Sequence, residues 1–595
     1  MSSFSGYLPS FLESYIEFRQ HLEALYENLE NNTQKGEDFA KLSKNLLSTR
    51  EDFFKLHSQL NPKKSHDQGV DILWIDPETN MPTAYCQSKL CIRSKDDIDN
   101  IIGKFASFEN SQISTQKEPI QTNLLDLLEE NNKYSDRSFI EENKNVKYYI
   151  STLSSIKNIL KLYENSGRPS VSFYRQLISS KRIEIIDGEP LYKLFLEAYR
   201  REYAIPQRVK FRSLEKFVNY NNVYIGIISA NDLIKIYSDC GKGIFFENVR
   251  DFLGLDERSS VLEINNEIFK TARDEPEKML ERNNGITFKA SSLKYEDESE
   301  SVILENAGII NGCQTTMCIV EAQPSGDCFV PIKIVLADIE NSSTVAKTAN
   351  NQNKIEKINL ELSEYLRPQL VKMSLAEIGV KINETENSNS VPSIASSICN
   401  NRIFYSDLRY LFIGLFSYIP RNIFISDYAS IKFDDVGSSY PSLDEKKYLI
   451  SVLGKILEVA NQVFDSLKQE YPPEASNQDS KGKTGTIFNR FYADEKGYKA
   501  YLIVFALCCL LNIDDEKQFK NMSVKNILEQ VSQVNENRKE EFRQTLIKAF
   551  KSVAICVINR FSGKDRDLDK EIKQQLFNYL KSTEFSSFYL TYGML

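Results

Sequence analysis

Histidine is scarce in this chain of 595 residues, which has three: His21, His57 and His66. All three lie in the first part of the sequence. Clustered zinc sites, Ser-His-Asp triads and Cys-His pairs depend on imidazole, so this scarcity disfavours those classes of enzyme. An enzyme made from this chain would instead draw on carboxylates, amides and lysines.

The chain also lacks paired cysteines and long apolar runs. Its ten cysteines are scattered, and none forms a Cys-x-x-Cys motif, which indicates reduced thiols rather than a redox or zinc site. The polar N-terminal residues predict no signal peptide. The longest apolar run, at about 500–511, is too short to span a bilayer and predicts a buried helix. We therefore expect a cytoplasmic protein with no membrane partner.

An excess of positive charge is absent as well. The 83 acidic residues outnumber the 74 basic ones, and the formal net charge is −9. Proteins that bind nucleic acid broadly and without specificity are usually basic, so the chain is a poor candidate for that class. A local basic groove is still compatible with this composition.

Composition and periodicity predict three regions. The first, 1–200, is expected to be an α/β domain with helices over 8–60, a hairpin with strands at 70–75 and 83–92, a helix over 95–108, and strands at 146–152 and 182–186. The second, 205–360, alternates short strands and helices, and the third, 361–595, is mostly helical. The expected fold class is thus an α/β N-terminal domain, an α/β core and a mostly α-helical C-terminal region.

Three polar side chains converge on the predicted hairpin: Asp71, Gln87 and Lys89. Side chains alternate along a strand, so Gln87 and Lys89 share one face. A register that sets Asp71 opposite either of them brings all three together, whereas a shift of one residue turns Asp71 to the other face. In the first case a carboxylate, an amide oxygen and an ammonium group lie close to one another.

Such a trio suits metal-assisted hydrolysis of a phosphodiester. Mg²⁺, or Mn²⁺ in its place, would take Asp71 as a charged ligand and Gln87 as a neutral oxygen ligand. Lys89 would orient or help to activate the attacking water, or stabilise charge that develops on the phosphate. The alternative interpretation is that Asp71 is a solvated residue at the start of a strand and Lys89 an ordinary charge on an edge strand.

The hairpin resembles the core of PD-(D/E)xK nucleases, in the Gln-x-Lys variant of Mrr-type restriction endonucleases. Gly69-Val70-Asp71 and Gln87-Ser88-Lys89 correspond to the Gly-(Ile/Val)-Asp and (Glu/Gln)-x-Lys motifs of that family. The resemblance implies that Asp71, Gln87 and Lys89 are catalytic and act with Mg²⁺ on DNA.

The same family has a helix that begins Gly-x-x-Phe-Glu, whose glutamate can be a further metal ligand. The segment 36–42 fits this helix, but Ala40 occupies the position of the glutamate. Glu37 or Asp38 would have to supply the missing carboxylate. This departure leaves open a degenerate nuclease fold without activity.

The region 244–354 contains ordered motifs rich in asparagine, glutamine and threonine. Its Asn-Gly pairs, Asn284-Gly285 and Asn311-Gly312, allow positive φ and tight turns. The run 308–316 predicts a strand that turns into a helix capped by Thr315 and Thr316, and free N–H groups at a helix start favour an anion. The alternative is that these amides only satisfy backbone turns. We expect a surface for phosphate, nucleotide or nucleic acid made of Arg250, Asn283, Asn284, Asn311, Gln314, Thr315, Lys333, Asn351 and Gln352.

Three phrases in this region resemble the AIPR family, named for abortive infection and phage resistance. They are Phe-Glu-Asn-Val-Arg-Asp-Phe-Leu-Gly at 246–254, Asn-Asn-Gly-Ile-Thr at 283–287 and Ile-Asn-Gly-Cys-Gln-Thr-Thr at 310–316. The resemblance covers about 205–360, and members of this family often carry a PD-(D/E)xK-like segment ahead of it. It implies bacterial anti-phage defence by cleavage of nucleic acid.

The leading hypothesis is a Mg²⁺-dependent DNA endonuclease, with RNA as the alternative substrate. Its AIPR region would sense a phage-derived trigger or bind nucleic acid or nucleotide, and the chain could form a homo-oligomer. The rival hypothesis is a non-catalytic sensor that binds nucleic acid or nucleotide through a degenerate nuclease fold. A third hypothesis makes the AIPR region itself a unit that binds or hydrolyses nucleotide.

Overall fold

The structure is a computed structural model of the whole chain. It describes residues 10–27, 32–53, 56–60, 71–77, 79, 82–114, 146–203, 205–212, 216–246, 248, 260–296, 301–337, 362, 364–382, 401–424, 431–471, 480–493, 497–513, 516–561 and 568–594. The described residues through Glu202 form one unit, and those from Tyr203 onward form a second. The predicted domain boundary at 360 lies outside the described residues.

The first unit alternates helices and strands around a single sheet. Its elements are α1 Tyr15–Glu27, α2 Asn32–Leu47, β1 His57–Leu60, β2 Ile72–Ile75, β3 Pro82–Ser88, α3 Lys95–Ser114, β4 Lys147–Thr152, α4 Lys157–Glu164, α5 Pro169–Ser179, β5 Ile183–Asp187 and α6 Gly188–Tyr203. The strands lie in the order β1-β2-β3-β4-β5. The pairs β1/β2 and β2/β3 are antiparallel, and β3/β4 and β4/β5 are parallel.

Both faces of this sheet are buried, which explains why β2 is apolar along its whole length. On one face, Leu73, Tyr85 and Tyr148 join a core that includes Ile102 and Phe105 of α3. On the other face, the Trp74 and Tyr149 rings pack against Phe53, at 4.7 and 5.2 Å between ring centroids. The helix α2 lies on this second face, since the Ser43 and Ser151 hydroxyls are 2.9 Å apart and the Trp74 indole donates to Ser48 Oγ.

The second unit begins with three sheets and their helices. These elements are β6 Arg208–Arg212, β7 Val218–Tyr220, β8 Val223–Ser229, α7 Ala230–Cys240, α8 Ser260–Asp274, α9 Met279–Arg282, β9 Ile286–Ala290, β10 Ser292–Glu296, β11 Ser301–Glu305, β12 Gly308–Asn311, α10 Cys313–Ala322, β13 Phe329–Leu336, α11 Pro368–Ala376, β14 Val380–Ile382 and β15 Asn401–Ile403. The strand orders are β10-β11-β6, β12-β9-β13-β8-β7 and β14-β15.

The rest of the second unit is helical. Its elements are α12 Tyr405–Phe416, α13 Phe433–Ser439, α14 Leu443–Glu470, α15 Ser480–Ala493, α16 Tyr498–Leu510, α17 Glu516–Asn521, α18 Val524–Asn537, α19 Lys539–Phe561, α20 Leu568–Ser582 and α21 Ser586–Met594. The capping box of Ser442 and Glu445 starts α14, which buries an apolar stripe that begins at Leu449. The longest apolar run of the sequence forms α16, which is buried almost throughout.

The predicted class is confirmed in its broad form: mixed α and β structure in the N-terminal half, followed by a helical C-terminal region. The predicted helices over 8–60 were wrong in their last part, because His57–Leu60 is a strand. This strand is at the edge of the sheet and is exposed or half-buried along its length. Pairing with β2, rather than the composition of the segment, determines its conformation.

Candidate functional site

The register of β2 and β3 places Asp71 opposite Gln87. Ile72 pairs with Cys86 and Leu73 with Tyr85, and the Asp71 N–H donates to the Cys86 carbonyl at 2.9 Å. This is one of the two registers that the alternation argument required, so that prediction is confirmed. Asp71 and Gln87 continue the face of the sheet that packs against α3, at the end where β2 begins and β3 finishes.

Hydrogen bonds fix the Asp71 carboxylate at this end of the sheet. Its Oδ2 atom accepts from Gln87 Nε2 at 2.7 Å and from the Ser88 N–H at 2.6 Å. The other amide atom, Gln87 Oε1, is buried and has no hydrogen-bond partner among the residues that the structure describes. A buried oxygen without a partner costs free energy, so this atom beside a carboxylate is suited to a ligand that accepts its lone pairs.

Lys89 follows directly after β3 and contacts a residue that the sequence analysis did not single out. Its ammonium group lies 2.6 Å from Oδ1 of Asp97, and its N–H donates to the Ser151 carbonyl at 2.9 Å. Asp97 is in the first turn of α3, where Ser94 and Asp97 exchange capping hydrogen bonds. The signal that would have found Asp97 is the Ser-x-x-Asp pattern at the start of the predicted helix.

The electrostatics of Asp97 favour its charged form. Burial acts to raise its pKa, but the Lys89 hydrogen bond and the N–H groups of Arg93 and Ser94 outweigh burial and lower the pKa to about 2. Lys89 therefore faces a carboxylate that is ionised at neutral pH.

The two carboxylates expected from α2, Glu37 and Asp38, form no three-carboxylate cluster with Asp71 among the described residues. Asp38 accepts from Lys41 Nζ at 3.1 Å, and Ala40 is buried. Within the described ranges, no three imidazole, thiol or carboxylate side chains lie together in a way that could hold a metal ion, so Glu37, Asp38 and Asp71 form no such group. The helix α2 packs on the face of the sheet opposite to Gln87, and a metal-ligand role for Glu37 or Asp38 stays a prediction.

The remaining donors still fit Mg²⁺ or Mn²⁺. Mg²⁺ is commonly held by one or two carboxylates and keeps several waters, so Asp71 and the unpaired Gln87 Oε1 can serve as its protein ligands. The chemistry of this donor set, all oxygen and no sulfur or imidazole, favours such hard cations over zinc.

The Asn-Gly motifs of the second unit have the backbone conformations that the sequence predicted. Gly285 has φ +84° and Gly312 has φ +106°. Gly312 joins β12 to α10, which confirms the predicted turn from strand to helix. The prediction that threonine caps this helix was wrong. Gly312 is the N-cap residue and offers no side chain, while Thr316 Oγ1 donates back to the Gly312 carbonyl at 2.9 Å.

The amide side chains near this turn form hydrogen bonds with neighbouring residues. Asn283 Nδ2 lies 3.2 Å from Thr315 Oγ1, and the Asn283 Oδ1 atom accepts from the Gly285 N–H at 2.9 Å. Gln314 Oε1 accepts from Nδ2 of the buried Asn265 on α8 at 2.9 Å. These contacts join the helix start to the preceding turn and to α8. Asn284 is exposed, and Arg250, Asn351 and Gln352 lie outside the described residues.

Two other predicted residues, Lys333 and Asn311, lie across the five-stranded sheet from each other. Lys333 pairs with Thr287, which pairs with Asn311, and Lys333 alternates with the buried Ile332 and Ile334. This row therefore lies on the outer face. The outer face continues over β8 and β7, where Ile225, Val218 and Tyr220 are 55%, 75% and 80% exposed. Lys333 thus stands on an open surface of mixed apolar and polar character.

The comparisons concern this second unit. Residues 245–409 match the model of the family described as AIPR protein, which supports an AIPR family protein and is consistent with a role in abortive infection. The match includes both Asn-Gly turns and extends beyond residue 360, where the sequence resemblance ended. No curated protein and no solved structure matches the chain. Of the helices that the structure describes, each is too short or too polar to traverse a bilayer.

Proposed function

We propose that this protein acts in abortive-infection defence against phage and that its first unit is a Mg²⁺-dependent DNA endonuclease. The observation that carries the proposal is the pairing of Asp71 with Gln87, whose buried Oε1 atom has no hydrogen-bond partner in the described part of the chain. Lys89 follows directly after β3, at the same end of the sheet. Asp71, Gln87 and Lys89 would together supply a charged ligand, a neutral ligand and a cation, without histidine.

The residues of the site have separate roles in this proposal. Asp71 and Gln87 would hold the metal ion, and a bound ion would polarise the phosphodiester and lower the pKa of a water ligand. Lys89 would orient the attacking water or stabilise the negative charge that develops on the phosphate. Because Gln87 Nε2 and the Ser88 N–H both hold Asp71 Oδ2, the carboxylate is oriented before metal arrives.

The order of elements supports the nuclease assignment. Composition and periodicity predict a helix, a hairpin, a second helix and a further strand around the motifs of the resemblance, and the first unit has α2, β2–β3, α3 and β4 in that order. The additional strand β1 extends the hairpin at its outer edge. The two halves of the metal-binding motif come together only because β2 and β3 pair in the observed register.

The second unit would bind the trigger or the nucleic acid. Its outer sheet face combines Lys333, Thr287 and Asn311 with exposed apolar side chains, and it suits contacts with a nucleotide or with nucleic acid, or with a second copy of the chain. The net charge of −9 favours a nucleic-acid contact restricted to such local surfaces.

The test is metal-dependent cleavage by the purified chain. Linear duplex DNA, single-stranded DNA and RNA are each incubated with Mg²⁺, Mn²⁺ or EDTA. We expect cleavage of DNA with either metal, its loss below detection in Asp71→Ala, and a fall of about 100-fold or more, to a rate that is still measurable, in Lys89→Ala. Asp76→Ala is the matched control, because Asp76 lies in the turn of the same hairpin and accepts from the Thr79 N–H. Full activity of both site variants would reject the assignment.

A second candidate function is a non-catalytic sensor, and the buried Ala40 favours it. The family glutamate is absent at this position, and Glu37 and Asp38 form no group of three carboxylates with Asp71 among the described residues. This candidate predicts that the wild-type chain binds DNA or a nucleotide but leaves every substrate intact with either metal. Phage protection that survives Asp71→Ala would favour the sensor over the nuclease.

A further inference from the structure

The ion pair between Lys89 and Asp97 connects the end of β3 to the start of α3. The distance from Lys89 Nζ to Asp97 Oδ1 is 2.6 Å, and both side chains are partly buried. Lys89 lies after β3, two residues beyond Gln87, and α3 packs on the face of the sheet that Asp71 and Gln87 continue. The ion pair is therefore at the same end and on the same side of the sheet as the candidate metal ligands.

Asp97 is held more firmly than an ordinary surface carboxylate. Its Oδ2 atom accepts from the Arg93 N–H at 2.9 Å and from the Ser94 N–H at 3.1 Å. Its own N–H donates to Ser94 Oγ at 3.3 Å, which completes a capping box. The next turn of α3 is anchored in the core by Ile98 and Ile101. The Oδ1 atom thus has a fixed position relative to the sheet, and Lys89 meets a rigid acceptor.

We propose that Asp97 is a positioning residue, which holds the Lys89 ammonium group at the end of the sheet where Asp71 and Gln87 bind metal. The proposal rests on the proposed nuclease function of that site. A lysine side chain has several rotatable bonds, so a fixed carboxylate reduces the number of conformations that the ammonium must lose on binding a phosphate. Removal of a residue that orients a metal ligand typically costs about 10- to 100-fold in activity, and we expect an effect of that order for a residue that orients Lys89.

The competing explanation is that Asp97 only caps α3. The two roles use different atoms: Oδ2 accepts the backbone N–H groups of the cap, and Oδ1 accepts Lys89. Ser94 takes part in the cap and has no contact with Lys89 among the described residues. Ser94→Ala is therefore the control for capping, and Asp97→Asn removes the charge from the ion pair while it keeps the size of the side chain.

The first experiment is a double-mutant cycle on DNA cleavage. We expect kcat to fall about 10- to 100-fold in Asp97→Asn, with KM nearly unchanged, and to recover in part in Asp97→Glu. Ser94→Ala should stay within about threefold of wild type. In the Lys89→Ala background, Asp97→Asn should cause no further loss, because its effect acts through Lys89. Equal losses from Asp97→Asn with and without Lys89, or a gain in activity, would overturn the proposal.

The second experiment does not depend on cleavage. Lysine acetylation by an N-hydroxysuccinimide ester is followed by mass spectrometry, with Lys104 on α3 as the internal reference. We expect Lys89 to react several-fold faster in Asp97→Asn than in wild type, and the Lys104 rate to stay the same. An unchanged Lys89 rate would reject the positioning role. A wild-type chain that cleaves nothing would reject the nuclease proposal instead, while the labelling still decides whether Asp97 holds Lys89.

Discussion

Two regions of this molecule are rich in polar side chains, and they satisfy those side chains differently. At the turn before α10, the amides of Asn283 and Asn265 bind Thr315 and Gln314, so each pair serves the fold. At the end where β2 begins and β3 finishes, Asp71 is oriented by Gln87, but the buried Gln87 Oε1 atom has no hydrogen-bond partner within the described ranges. Polar groups that bind one another stabilise a structure, whereas an oriented group with an unpaired neighbour is prepared for a ligand.

The two sequence resemblances therefore rest on different kinds of structural feature. The Asn-Gly motifs in the matched range 245–409 form backbone turns, and the amides near them join neighbouring elements of the fold. The Asp71 and Gln87-x-Lys89 motifs place a carboxylate, an amide and an ammonium group at one end of a sheet. The hydrogen bonds of Asn283 and Asn265 are explained by the fold of the matched region, whereas our proposal of activity rests on Asp71 and Gln87.

The largest loss of cleavage is expected when Gln87, the proposed neutral metal ligand, is replaced. Gln87→Leu removes both the Asp71 hydrogen bond and the free oxygen, so we expect cleavage to fall by about 100-fold or more. Gln87→Glu restores an oxygen ligand and should retain metal-dependent cleavage. If Gln87→Leu cleaves DNA as well as wild type, the unpaired oxygen has no role in the reaction and the contrast between the regions is lost.

The next effect concerns the backbone of the matched region. A Cβ atom at Gly312 would lie 2.9 Å from Ile286 Cγ1 and 3.0 Å from Ile286 Cα, and the φ of +106° disfavours other residues. We expect Gly312→Ala to lower the free energy of unfolding by about 2 kcal/mol in urea denaturation. Gly326→Ala is the control, because the nearest atom to its Cβ is 3.7 Å away. Equal stability of the two variants would contradict this account of the turn.

These two sites also show how far the sequence could predict the structure. Alternation along β2 and β3 predicted that Asp71 meets Gln87 or Lys89 in two registers and left open the register that turns Asp71 to the other face; the structure has the register that pairs Asp71 with Gln87. The Asn-Gly pairs predicted positive φ at Gly285 and Gly312. Local patterns of this kind carry their own physical cause, and they were confirmed in the structure.

Contacts between distant segments could not be predicted in this way. Nothing local indicates that Asn265 reaches Gln314 or that His57–Leu60 adds an edge strand to the sheet. The ion pair of Lys89 with Asp97 lies between these two cases. The Ser-x-x-Asp cap can be identified from the sequence, but the contact of Asp97 with Lys89 depends on the position of α3. Tertiary packing decides such contacts, and one sequence gives no direct measure of it.

A smaller effect tests whether the amides of the matched region are structural. Asn265 is 1% exposed, and Asn265→Ala leaves Gln314 Oε1 without this donor. We expect a loss of about 1 to 2 kcal/mol in the free energy of unfolding and no change in DNA cleavage. Asn284→Ala, at an exposed position, should change stability by less than about 0.5 kcal/mol. Lost cleavage in a folded Asn265→Ala chain would place this amide in the functional machinery.

The smallest effect concerns histidine in the first unit. His21 is stacked on Phe11 with 4.2 Å between ring centroids, and burial lowers the pKa of His21 below its usual 6.5. The His21 imidazole therefore binds a proton more readily in the unfolded chain than in the folded one. The neutral imidazole contributes its full share to the free energy of unfolding above pH 6.5, and this contribution is lost as the pH falls towards the lowered pKa. We expect His21→Phe to reduce the pH dependence of unfolding between pH 7 and 5, by under about 1 kcal/mol. Parallel pH profiles for the two chains would show that His21 is not buried in its neutral form.

Direct measurement of metal binding tests the central claim without any substrate. Mn²⁺ is titrated into the full chain, and the free ion is followed by electron paramagnetic resonance. Our account predicts one bound Mn²⁺ per chain in wild type and in Asp76→Ala, displaced by excess Mg²⁺, and none at that affinity in Asp71→Ala. Equal binding by Asp71→Ala and wild type, or no binding by wild type at millimolar Mn²⁺, would contradict the assignment of Asp71 and Gln87 as metal ligands.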